Sequence, residues 1–91
     1  MSKTFKEKVI IQNRRGLHAR ASAQVVKIAE TYEATSYISY QDMKVSAQSI
    51  MGLLMLGAGQ GAQIYIEAEG VDAEKVVSSL VDLIKNKFGE T

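Results

Sequence analysis

A single histidine stands in the run Gly16-Leu17-His18-Ala19-Arg20-Ala21-Ser22-Ala23, where a polar loop gives way to helix-forming residues. An imidazole with an ordinary pKa near ~6.5 is largely unprotonated at neutral pH, so one ring nitrogen keeps a lone pair that can attack phosphorus. A phosphoryl group carried there would lie at a helix N-terminus, where the first N–H groups lack partners and the helix dipole favours negative charge. His18 is therefore the expected nucleophile. Ala19 supplies first-turn backbone, Arg20 a planar guanidinium able to clamp phosphate oxygens, and Gly16 a backbone free to bend close to them.

Other chemistries fit the composition less well. The chain has no cysteine, which excludes a disulfide framework, a thiolate metal cluster and a cysteine nucleophile. With one histidine and no clustered carboxylates at ligand spacing, no metal site and no cofactor are expected. A serine nucleophile using His18 as base would need a positioned acid, an oxyanion site and a substrate pocket that a chain of 91 residues has little room to build.

The elements that must position His18 can be read from periodicity. Phe5 to Gln12 carries Val9, Ile10 and Ile11 and stops at Asn13-Arg14-Arg15-Gly16, a strand followed by a loop. From Ala19 to about Tyr32, Ala21, Val25, Ile28, Ala29 and Tyr32 recur at helical spacing. Thr35–Tyr40 and Met43–Ala47 flank Gln41-Asp42 as a hairpin. Ser49 is placed to cap a short helix that closes at Gly57, and Gln63 to Glu69 alternates as a half-buried strand with Ile64, Ile66 and Ala68 inward. Asp72 is expected to cap a last helix whose stripe is Val77, Leu80, Val81, Ile84 and Phe88. The order βαββαβα, with one polar strand face, predicts an α+β two-layer open-faced sandwich with three helices on one side of an antiparallel sheet. Residues 1–91 read as one domain, without linker, repeat or low-complexity tract.

The short helix is apolar almost all round. If Leu53 and Leu56 point inward, Ile50, Met51, Leu54 and Met55 form a partly exposed patch of the kind that marks docking of another protein. Flexible methionines suit partners of differing shape.

Gly16-Leu17-His18-Ala19-Arg20 and, further on, Ser49-Ile50-Met51-Gly52 resemble the active-site and regulatory-serine segments of the HPr family, the histidine phosphocarriers of the bacterial phosphoenolpyruvate-dependent phosphotransferase system. The likeness spans essentially the whole chain. It implies the strand order 1-4-2-3, phosphorylation of His18 on Nδ1 by Enzyme I, assistance by Arg20 and onward transfer to IIA-type proteins. It further implies regulatory phosphorylation of Ser49 by a serine-directed HPr kinase/phosphorylase. One departure stands out: the family usually has proline after the active-site arginine, where this chain has Ala21. Alanine keeps a good helix start without presetting φ, so a change in transfer rate is expected rather than a change of function.

Eleven basic and ten acidic residues leave a formal charge of +1, too little clustered positive surface for a nucleic-acid partner. An RNA-binding α+β domain would interleave aromatic and basic residues on its strands, yet Tyr65 stands between Ile64 and Ile66 beside Glu67. No run reaches the roughly 20 apolar residues of a membrane span, and Met1 to Lys6 lacks a secretory pattern, so a cytoplasmic protein without membrane insertion is expected. The alternative to sugar-uptake relay is an HPr-like regulator of a nitrogen-related phosphorelay, sensed by partners through its phosphorylation state. Leu53-Leu54-Met55-Leu56 resembles that branch.

Overall fold

The computed structural model describes residues 3–90; Met1, Ser2 and Thr91, included in the expected domain, lie outside the described residues. Four strands, β1 (Lys3–Ile10), β2 (Thr35–Tyr40), β3 (Met43–Ser46) and β4 (Gln63–Gly70), form one antiparallel sheet in the order β1-β4-β2-β3. Three α-helices, α1 (Ala19–Thr31), α2 (Ile50–Met55) and α3 (Ala73–Lys85), complete the fold, with a short 3-10 turn over Lys87–Gly89. The expected open-faced sandwich and strand order are both present.

Alternation decides which side of the sheet is covered. Val9, Ile38, Ile64, Ile66 and Ala68 are buried beneath Val76, Val77, Leu80, Val81 and Ile84 of α3 and Ala21, Val25 and Ala29 of α1. The small alanines let α1 pack closely against its neighbouring helices α2 and α3. On the opposite face Lys6 and Lys44 lie over the rings of Tyr65 and Tyr37, and Lys44 pairs with Glu67 at 3.1 Å. No helix among the described residues is long and apolar enough to cross a membrane.

Three local expectations are corrected. β1 ends at Ile10, two residues before Gln12, because Ile11 bonds instead to Ala62 and Gly61 of the loop before β4. Asp72 occupies the N-cap position of α3 but makes no side-chain cap; its carboxylate accepts the Glu33 N–H at 2.8 Å, tying the turn after β4 to the end of α1. Phe88 is not on the α3 stripe. The helix stops at Lys85, and Lys87 (φ 58°), Phe88 (φ 56°) and Gly89 (φ 75°) run through left-handed backbone that turns the chain back, with the Phe88 side chain buried as anchor.

Candidate phosphoryl-acceptor site

His18 is the N-cap residue of α1. Its extended backbone (φ −71°, ψ 177°) lets the carbonyl accept the Ser22 N–H at 2.8 Å, while no side chain caps the helix. The N–H groups of the first turn thus have no side-chain acceptor, and no acidic residue occupies that turn. The loop entering the helix is held by the Leu17 N–H, bonded to the Ala58 carbonyl at 3.0 Å, and by the Ser22 hydroxyl, which donates to the Leu17 carbonyl at 3.1 Å.

The His18 ring is not alone. Its Nε2 lies 2.5 Å from Oε2 of Glu90, delivered by the turn at Lys87–Gly89. The other carboxylate oxygen, Oε1, accepts from Nδ2 of Asn13 at 3.0 Å, and the same Nδ2 donates to the Gly16 carbonyl at 2.9 Å. The hydrogen bond from Asn13 and then that with His18 hold the Glu90 carboxyl below the usual carboxylate range, helped by the charges of His18 and Arg15 and opposed by partial desolvation. With Nε2 engaged, no partner is found for Nδ1 among the described residues.

Arg20, in the first turn, shares a shallow depression of about 390 Å³ with Arg14, Arg15, Gly89 and Glu90. None of the three guanidiniums is in an ion pair among the described residues. Glu90 joins this depression to the His18 ring, and Ala19 lies between His18 and Arg20 at the start of α1. Gly16 is placed differently. It is buried, with N–H bonded to Asn13 and carbonyl receiving Asn13 Nδ2, so neither backbone group is open to a phosphate. Its positive φ of 62° and the 2.5 Å that would separate a Cβ from the Ala58 carbonyl make glycine a requirement of loop packing. Ala21, in the position where the family usually has proline, is fully buried in the first turn.

Ser49 caps α2, its Oγ accepting the Gly52 N–H at 2.9 Å. Leu53 and Leu56 are buried, whereas Ile50, Met51, Leu54 and Met55 are exposed, Met51 by 70% and Met55 by 66%. Ala58 beyond α2 meets Leu17, while Gln48 before it donates to the Ala29 carbonyl at 3.5 Å, so α2 runs antiparallel to α1. Met55 is therefore toward the His18 end and Ser49 toward the far end.

Sequence reasoning missed Asn13, Arg14, Arg15 and Glu90 as site residues. The arginines and Asn13 lie in a stretch legible only as loop. Glu90 is 72 residues from His18, and nothing in local spacing pairs them.

An open-faced α+β sandwich that sets a partly buried imidazole, a guanidinium and an uncapped helix N-terminus together points to a histidine phosphocarrier. Comparison with known proteins gives the same class. The family model for the PTS HPr component phosphorylation site matches residues 5–86. The chain is 39% identical to the phosphocarrier protein HPr of Neisseria meningitidis serogroup A over 94% of its length and 97% of that protein's. It is 36% identical to the phosphocarrier protein NPr of Shewanella violacea over 94% of each. The crystal structure of HPr-C-His from Thermoanaerobacter tengcongensis superposes with a TM-score of 0.92 at 40% identity, covering 96% of this chain and 98% of that one. The chain belongs to the HPr family of phosphotransferase-system phosphocarriers.

Proposed function

We propose that this protein, acting as one domain in the cytoplasm, takes a phosphoryl group from Enzyme I onto Nδ1 of His18 and passes it to IIA-type proteins. The observation that carries the reading is the engagement of His18 Nε2 by Glu90 at the uncapped start of α1, which leaves Nδ1 as the free ring nitrogen. In the transfer, the Nδ1 lone pair bonds to phosphorus while the bond from phosphorus to the donor breaks, its electron pair staying with the donor. The proton on Nε2 does not move, and the positive charge that develops on the ring faces the Glu90 carboxylate. First-turn N–H groups and Arg20 meet the phosphate oxygens. Onward transfer is the same step reversed.

Ile50, Met51, Leu54 and Met55 form the surface on which donor and acceptors dock. Phosphate on Ser49, added by a serine-directed kinase, would put about −1.5 to −2 charges beside that patch and weaken docking without touching His18. Similarity to a protein named NPr as well as to proteins named HPr supports a second reading, in which regulatory partners sense the phosphorylation state. Incubation with Enzyme I and phosphoenolpyruvate, read by intact mass, tests the carrier reading. One phosphoryl group is expected on the parent and none on His18→Ala; phosphate on serine alone would refute it.

A further inference from the structure

We infer that Asn13 is a positioning residue for phosphoryl transfer: it holds the Glu90 carboxylate, which in turn fixes His18 with its hydrogen on Nε2 and its lone pair on Nδ1. This rests on the phosphocarrier reading of His18.

The chain of contacts is continuous, from Asn13 Nδ2 to Glu90 Oε1 at 3.0 Å and from Glu90 Oε2 to His18 Nε2 at 2.5 Å. A carboxylate only accepts, so the ring nitrogen facing it must carry the hydrogen. The amide orientation of Asn13 follows by elimination, since reversing it would set Oδ1 against both the Gly16 carbonyl and Glu90 Oε1. Asn13 is only 2% exposed, and its Oδ1 has no partner among the described residues. An unsatisfied buried oxygen carries an energetic cost that an apolar side chain would avoid, so the amide at this position is explained by what its nitrogen holds. The opposite end of the relay is secured with similar effort. Lys87 and Phe88 adopt left-handed backbone, Phe88 is buried, and the Phe88 carbonyl accepts from Gln24 of α1 at 3.3 Å, all of which aims Glu90 at the ring.

The groups facing Glu90 are Asn13, His18 and Arg15, with Arg14 and Arg20 on the same depression. Of these, Asn13 is the neutral donor, so it orders the carboxylate without competing with the imidazole for its charge. During transfer the new N–P bond forms at Nδ1 and the donor's bond to phosphorus breaks with its electron pair retained by the donor; the Nε2 hydrogen stays between His18 and Glu90. The relay thus stabilises the cationic ring without any proton leaving.

The test is ¹⁵N NMR of the His18 ring at alkaline pH, where imidazole is neutral, together with phosphoryl acceptance from Enzyme I. The parent should hold almost pure Nε2–H tautomer. Asn13→Ala and Glu90→Ala should each move the ring toward the tautomer mixture of free histidine and slow transfer by roughly threefold to tenfold, the loss expected for one charge-assisted hydrogen bond. The double variant should be no slower than Glu90→Ala. A parent-like tautomer and rate in either single variant overturns the relay, as does an additive double variant, which would give Asn13 a purely structural role through Gly16. Should Asn13→Ala fail to fold, Asn13→Asp takes its place, since it keeps the size but turns the donor facing Glu90 into an acceptor; a parent-like tautomer and rate in that variant overturns the relay. If the parent accepts no phosphate, the carrier reading fails separately, and the tautomer result still judges the relay.

Discussion

Arg20 is exposed, unpaired among the described residues and one residue inside the first turn of α1, so its side chain does not fill the core and, in the proposed transfer, is free to meet phosphate. Arg20→Ala should slow phosphoryl acceptance by roughly tenfold to a hundredfold with an unchanged melting curve, and Arg20→Lys should recover part of that loss because it restores charge without the planar fork. Equal rates for all three proteins would remove Arg20 from the mechanism. Glu90 makes a pH prediction. Its carboxyl is held below the usual range by Asn13, then His18 and Arg15, so the ionised form is favoured in the folded chain. The resulting stabilisation is present above the unfolded-state pKa of about 4.3 and is lost as pH falls through the lower folded value. Denaturant melts of the parent and Glu90→Gln should therefore differ at pH 6 and converge in strong acid; a difference that grows with acidification would contradict the assignment.

At the level of elements, the proposed function rests on the turn after α3 and the exposed face of α2. Phe88 anchors the left-handed turn that delivers Glu90. Phe88→Ala should cost about 3 kcal/mol in a chemical melt, as truncating a buried aromatic does, and should release the Glu90 contact with His18, to be read as a loss of the Nε2–H preference in ¹⁵N NMR of the ring. Ser49 caps α2 through the Gly52 N–H, and a carboxylate can make the same bond. Ser49→Asp should melt no lower than Ser49→Ala yet need roughly tenfold more protein for half-maximal acceptance from Enzyme I, because its charge borders Ile50 and Met51. Unchanged kinetics would leave Ser49 as a helix cap only. The periodic elements were readable because each buries one side: the alternation of β4 and the stripe of α3 to Ile84 appear in the structure as drawn from the sequence. Phe88 continued the helical spacing past Lys85, and no local pattern marked the left-handed turn that takes it off the helix. Asp72 satisfied the cap rule by type, but a backbone donor from Glu33 claimed its carboxylate. Such outcomes depend on contacts between segments far apart in the chain, which spacing does not encode.

For the whole molecule, the packing gives the two working regions a common side. Leu17 bonds to Ala58 beyond α2, so the exposed methionine and leucine face of α2 adjoins the loop that presents His18. A partner seated on that face would bring its own reacting group to His18, whereas Lys6, Tyr65, Lys44 and Glu67 pair with one another on the opposite face of the sheet. His18 and Arg20 were legible from five consecutive residues; Glu90 was not, because only the closed fold joins positions 72 residues apart. In the proposed cycle phosphate enters and leaves through one imidazole. The most direct measurement charges the isolated protein with Enzyme I and phosphoenolpyruvate, removes both, adds a IIA-type acceptor and follows the intact mass of each chain. One acid-labile, base-stable phosphoryl group should disappear from this protein as it appears on the acceptor, with no such exchange for His18→Ala. A phosphorylated protein that keeps its group in the presence of every acceptor, or a His18→Ala variant that still exchanges it, would rule out transfer through His18.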